Sequence, residues 1–262
     1  MKSHYVLIAT LLLAACATPA PETADLGAIW AEQSAEYQAV SAQVYALARR
    51  DLPRLLADST WTALPGQQDI DGKPPAIILD VDETVVSNAG YQKTLADAPY
   101  TRFRHFDWMR KNKAVPLRGA AETIDAARAL GIDVFFLTNR ACEVFEGIEG
   151  DCPAEQVTID DLAETGVAAD PDHVLMAWEQ PGWNKEKLNR REYVAKTHRV
   201  IMLFGDDYGD FVQCTRENPL PPCTEGATRA SRHEALDTYE SYWGKGWYIL
   251  PNPMHGSWTT VR

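Results

Sequence analysis

The chain has 262 residues, 45% of them hydrophobic and 24% charged, which suits one large domain, or one domain with a modest accessory piece, and excludes disorder as the default. A net charge of −12 argues against a nucleic-acid polymer as partner, because phosphate backbones demand a basic footprint. It leaves room for a small anionic substrate, since the local field of a pocket matters more than net charge.

The chain opens with Lys2 and an apolar run from Tyr5 to Ala15. That run is shorter than the roughly 20 apolar residues a membrane-spanning helix needs, so residues 1–15 read as an export signal. Leu13-Ala14-Ala15-Cys16 resembles the lipobox of bacterial lipoproteins, in which the cysteine is acylated and becomes the mature N-terminus. The alternative is an ordinary secretory signal with an incidental cysteine, and both readings export the protein. Ala17 after Cys16, in place of Asp, resembles outer-membrane sorting in Gram-negative bacteria. The expected location is therefore an outer-membrane lipoprotein facing the periplasm or the cell surface. Residues 16–25, with prolines and little apolar content, read as a tether, and 26–262 as the folded domain.

From Leu26 to about Leu56, Ile29, Trp30, Tyr37, Val40, Val44, Tyr45 and Leu47 recur at helical spacing. This predicts one or two amphipathic helices, interrupted near Pro53. Residues Leu64 to Pro75 carry Pro, Gly and Asp and read as a loop. Short apolar runs then alternate with helical patterns. The runs are Ala76–Leu79, Val134–Leu137, Val174–Met176, Val200–Phe204 and Trp247–Leu250; the helices are 120–130, 159–165 and 187–196. Such alternation predicts an α/β fold with a central parallel sheet covered on both faces.

Polar residues follow these strands at once. Asp80 and Asp82 follow the first, Thr138-Asn139-Arg140 ends the second, and Asp206, Asp207 and Asp210 follow the fourth. Ligands of open parallel sheets bind beyond the carboxyl ends of the strands, so these residues are expected at one edge. An acidic turn after a single strand often serves only as a helix cap; the convergence of several speaks for a site. Gathered carboxylates repel one another unless a hard cation sits among them, and oxygen ligands with room for water favour magnesium. Asp80 is then placed to attack phosphorus and form an aspartyl-phosphate, with Asp82 protonating the leaving oxygen and later deprotonating water. The Thr138 hydroxyl and a lysine ammonium would hold the phosphoryl oxygens.

Asp80-Val81-Asp82-Glu83-Thr84, Thr138-Asn139-Arg140, a lysine within Trp183–Arg191, and Gly205-Asp206 through Asp210-Phe211 resemble the ordered motifs of the haloacid dehalogenase (HAD) superfamily. More narrowly, the chain resembles its class C acid phosphatases, the lipoprotein 5′-nucleotidase group. The likeness extends through Ser87-Asn88 and Tyr91, Phe106-Asp107-Trp108, and the closing Leu250–Trp258. The resemblance implies a Rossmann-like domain with a mostly helical cap, to which the N- and C-terminal segments contribute. It implies Mg2+ as cofactor and a small phosphomonoester, a nucleoside 5′-monophosphate, as substrate. Carried over, Asp80 is nucleophile and metal ligand, and Asp82 is acid/base and ligand through its main-chain carbonyl. Thr138, Asn139 and Lys187 bind phosphate, while Asp206 and Asp210 complete the metal set. Lys187 is preferred to Lys185 on its spacing from Trp183 and to Arg190-Arg191. His255 stands where the family often carries Tyr, so the substrate contact there is open.

Of the five cysteines, Cys142, Cys152, Cys214 and Cys223 lie in the domain. Several connectivities are open in an exported chain, and the local pairs, each closing a short loop, are favoured over free thiols. Cys223 to Arg229 also has the spacing of cysteine-dependent phosphatases, but Pro221-Pro222 and Glu225 do not suit a phosphate cradle. Tyr91, Trp108, Trp243 and Trp247 are candidates for a wall that stacks a nucleobase, against core packing as the plainer role. Arg190 and Arg191 read as solvated residues near a helix start, or as aids to phosphate. The competing function is a lipoprotein that binds haem or a nucleotide without turnover; a second copy of the chain, in a homodimer, is a further candidate partner.

Overall fold

The computed structural model describes residues 25–111 and 113–261. The expected signal, Cys16 and all of the tether but Asp25 lie outside the described residues.

Asp25 caps α1 (Leu26–Gln33), and Ser34 caps α2 (Ala35–Ala57) by accepting from the Tyr37 N–H at 3.0 Å. The predicted interruption near Pro53 is corrected: the chain breaks at Ser34, whose backbone is extended, and α2 continues through Pro53. A mid-helix proline costs about 3 kcal/mol, but Leu52 and Leu55 beside it are almost wholly buried, and that burial offsets the lost backbone bond.

Strand β1 (Pro75–Leu79) runs into a tight turn and a short hairpin made by β2 (Val86–Ser87) with β3 (Val115–Pro116). Between the two lie α3 (Ala89–Thr94) and α4 (Arg102–Met109). Then come α5 (Ala120–Ala129), β4 (Asp133–Ala141), α6 (Pro153–Glu164), β5 (Val174–Ala177), α7 (Leu188–Ala195), β6 (Arg199–Gly205), α8 (Arg229–Thr238) and β7 (Trp247–Ile249). Helix α6 starts earlier than the periodicity predicts, with Pro153 in its first turn, where the missing N–H is not needed.

The fold is α/β, with a central five-stranded sheet in the order β5-β4-β1-β6-β7 and every pairing parallel. Alternate residues feed opposite faces. Ile77, Leu79, Val134 and Phe136 pack with Tyr45, Leu52, Ile124 and Leu162 of α2, α5 and α6. Ala76, Ile78, Phe135 and Leu137 pack with Val194 of α7 and with Trp183 and Trp247. Chain order reverses at β1, so the crevice beyond its carboxyl end is the topological switch point. Cys142–Cys152 and Cys214–Cys223 are disulfides, so Cys223 offers no free thiol and the cysteine-phosphatase reading falls. Among the described residues no helix is long and apolar enough to cross a membrane.

Candidate active site

Asp80 follows β1 directly, and its N–H donates to the Phe204 carbonyl at 2.9 Å, locking the end of β1 to β6. The next turn is compact: the N–H groups of Val85 and Val86 both donate to the Val81 carbonyl, and Glu83 adopts φ 57°. Asp80 faces a cavity of about 420 Å³ that Asp82, Asn139, Lys187, Asp206 and Asp210 also line. Strand-end convergence thus brings most of the predicted residues together.

Lys187, at the start of α7, is 3% exposed. Its ammonium contacts Asp80 Oδ1 and lies 2.7 Å from Asp210 Oδ1; Lys185 makes neither contact. One oxygen each from Asp80, Asp206 and Asp210 can lie within 4.8 Å of the others. Burial pushes Asp80 upward, Lys187 pulls it back, and the charges of Asp210 and Asp82 push it up again. Burial also raises Asp206, followed by repulsion from Asp210 and Asp80. Lys187 is raised despite burial because Asp210 and Asp80 stabilise its charge. Three clustered carboxylates, with one ammonium against the buried pair Asp80 and Asp210, are a donor set suited to a hard divalent cation.

Asp82 points elsewhere. Its carboxylate takes the Nε–Nη2 edge of the Arg140 guanidinium with both oxygens, at 3.0 Å from Nε and 2.7 Å from Nη2, and accepts from Asn88 Nδ2 at 2.7 Å. Burial alone would raise its pKa, but the charge and hydrogen bonds of Arg140 outweigh that and hold it well below the usual carboxylate range. Arg140 is held in turn by Asp161 at 2.7 Å and Thr158 at 3.1 Å, both on α6. Thr138 is fully buried behind the cavity wall, its hydroxyl accepting from the Arg140 N–H at 3.1 Å.

Arg190 and Arg191 are not solvated: both are nearly inaccessible. Arg190 donates to the Thr138 carbonyl, to Leu175 O at 3.2 Å and to Asn139 Oδ1 at 2.7 Å; Arg191 donates to Asp210 O at 2.6 Å. Helix α7 thereby supplies Lys187 and ties down two of the loops that face it.

The closing segment is tied to the same edge through three carboxylates. Asn252 donates to Asp206 at 2.7 Å, His255 Nε2 lies 2.8 Å from the wholly buried Glu83, and Ser257 Oγ donates to Asp207 at 2.7 Å. Burial lowers the His255 pKa, but Glu83 outweighs this and the net shift is upward. Sequence reasoning missed Asn252 and Ser257, although both follow β7 at the strand-end edge where such residues are expected. Asp161 and Thr158 sit on one helical face and carried no such signal.

Tyr91, Tyr100 and His105 line the cavity, with the Tyr91 and His105 rings 4.7 Å apart. Trp108 stands behind Tyr91, 5.7 Å between centroids, and is not in the lining. Trp243 and Trp247 belong to the core on the other face, where Trp247 Nε1 donates to Ala63 O at 2.7 Å. The base-wall expectation is therefore corrected for those two: their rings are used in packing.

The sequence model of the HAD superfamily, subfamily IIIB (acid phosphatase), matches residues 11–258. The structure of the class C acid phosphatase from Bacillus anthracis is similar, with TM-score 0.69 and 27% identity over 89% of this chain and 85% of that one. The crystal structure of class C acid phosphatase from Bacillus anthracis with tungstate bound gives the same TM-score, 0.69.

Proposed function

The chain belongs to the HAD superfamily, subfamily IIIB acid phosphatases, and is a phosphoric monoester hydrolase; from that premise we propose that it cleaves nucleoside 5′-monophosphates, with magnesium, through an aspartyl-phosphate on Asp80. The observation that carries the reading is the placement of Asp80: beside the buried Lys187, in a cavity whose far lining is aromatic. Membership sets aside the non-catalytic alternative.

In the first step an Asp80 oxygen bonds to phosphorus as the bond to the leaving oxygen breaks. Asp82 gives that oxygen its proton, then takes one from the water that releases phosphate. Paired with Arg140, Asp82 is ionised, the form that accepts a proton from water. Protonating the leaving group requires its carboxyl first to part from Arg140 and take up a proton from solvent; each water it deprotonates afterwards restores that proton. Lys187 and Asn139 hold the phosphoryl oxygens, where the transition state spreads its charge; for the Thr138 hydroxyl to join them, it must be uncovered from behind the cavity wall. The side chains of Asp80, Asp206 and Asp210, with the Asp82 main-chain carbonyl, would hold magnesium, which supplies neutralisation of carboxylate and phosphate as they approach. Tyr91, Tyr100 and His105 offer ring faces to a base; His255 lines the same space.

Phosphate release from a panel of nucleoside, nicotinamide and sugar monophosphates tests substrate and metal together. The expected result is highest kcat/KM on nucleoside 5′-monophosphates, loss of turnover in chelator, and recovery with Mg2+. Magnesium should also raise the melting temperature, since it binds the folded site and not the open chain. Equal rates and equal melting with and without chelator would remove the metal; no preference for nucleotides would remove the base contact.

The export signal expected from residues 1–15, with Cys16 after it, extends the proposal to a lipid-anchored protein of the outer membrane. Labelled palmitate should enter the wild-type protein and not Cys16→Ser; equal labelling would refute the anchor.

A further inference from the structure

Lys185 has no role in the chemistry above, yet it lines the same cavity, two residues before Lys187. Its carbonyl accepts from Asn139 Nδ2 at 3.4 Å, which sets it beside the loop that follows Thr138. Among the described residues its ammonium has no carboxylate or hydrogen-bond partner. Instead, two more cations of the cavity lining, Arg216 and Arg102, bear on it. Burial first, then those two charges, lower its pKa.

Both arginines are held in place with donors to spare. Arg102 uses one nitrogen for Glu143, at 2.6 Å, and rests 4.2 Å over the Trp178 ring. The Arg216 Nε lies 3.6 Å from Glu186 Oε1, beyond hydrogen-bond length, and both atoms are buried without a hydrogen-bond partner. A guanidinium carries five N–H donors, so neither is saturated. Arg102 and Arg216 meet the segment from Trp178 to Lys187 at Trp178 and Glu186, and Lys185 lies within it; all three are more exposed than Lys187, which sets them toward the open side of the cavity. In a chain of net charge −12, two guanidiniums that share a cavity lining with an unpaired ammonium are a local exception to the overall field. Like charges so placed repel, and an anion among them relieves the repulsion.

We propose that Arg102, Lys185 and Arg216 form a second anion subsite, which takes a second phosphoryl group of a substrate whose first phosphate is cleaved at Asp80. The preferred substrates are then bisphosphates, and for a nucleotide a nucleoside 3′,5′-bisphosphate. The proposal rests on hydrolysis at Asp80, and it deepens the nucleotide reading without needing it.

Initial rates with the magnesium-supplemented full chain test it on two pairs of substrates: 5′-AMP with adenosine 3′,5′-bisphosphate, and fructose 6-phosphate with fructose 1,6-bisphosphate. The wild type should favour the bisphosphate of a pair by about tenfold in kcat/KM, the scale of one charge-assisted hydrogen bond. Lys185→Gln should remove that advantage while changing the monophosphate rates by less than about twofold, because Lys187 still serves the first phosphate. Arg102→Gln is the second variant, and should weaken the bisphosphate alone in the same way if Lys185→Gln fails to fold. Equal loss on monophosphate and bisphosphate, or no bisphosphate preference in either pair, overturns the proposal. A Lys185-dependent advantage confined to the sugar pair, with nucleotides turned over no better, supports the subsite and rejects the nucleotide reading.

Discussion

Asp80→Asn is expected to lower kcat by about 10⁴-fold or more, the scale seen when a covalent nucleophile is removed. The amide is nearly isosteric with the carboxylate but cannot form the acyl-phosphate bond. The fold should survive, and the reason lies in the local charge. Asp80 sits beside Asp206 and Asp210; burial pushes its carboxyl upward against the pull of Lys187, and the charges of Asp210 and Asp82 push it further. Replacing one member of that set relieves repulsion, although Lys187 loses one of its two carboxylate contacts. The melting temperature should therefore stay close to wild type or rise in the metal-free protein. A fall in rate that simply tracked unfolding would point to a structural role for Asp80.

Arg140→Met should act in the opposite way, mainly on stability. Arg140 is 4% exposed and joins two carboxylates from distant parts of the chain, Asp82 after β1 and Asp161 on α6. Removing one partner of a buried ion pair costs roughly 3–5 kcal/mol, because the other charge is left uncompensated. Here two are left, and Asp161 is already pushed up to about 6, chiefly by burial against the pull of Arg140. Denaturant unfolding at neutral pH should show a loss of that order. Activity in the surviving folded fraction should also fall, since Asp82 loses the group that orients it. A variant as stable as wild type would mean that water reaches both carboxylates.

The parallel sheet was legible because its strands are continuous apolar runs of β length, and a strand buried on both faces needs nothing else. Its end residues were legible for the same reason: Asp80, Thr138 and Asp206 each follow such a run. The break at Ser34 was hidden by Pro53, a stronger local signal that burial of Leu52 and Leu55 overrides. Helices α3 and α4 are too short to show a period, yet they bring Tyr91 and His105 to the cavity, and the loop between them brings Tyr100. The partners of the site residues were the least legible. Arg140 stands next to Asn139 in sequence, but Asp161, which helps to fix it, lies a helix away, and only the packing of α6 on the sheet joins them. Arg190 and Arg191 read as polar helix residues because a single sequence does not reveal that backbone carbonyls can enclose a guanidinium.

The central claim is that phosphate passes through Asp80. Rapid quenching of Asp82→Asn after mixing with substrate, followed by peptide mass spectrometry, tests it most directly, because slowed attack by water lets the intermediate accumulate. The account predicts one phosphoryl group on the peptide containing Asp80, absent when Asp80 is also changed to Asn. A phosphoryl group on another residue, or turnover at the wild-type rate with none on Asp80, would contradict it.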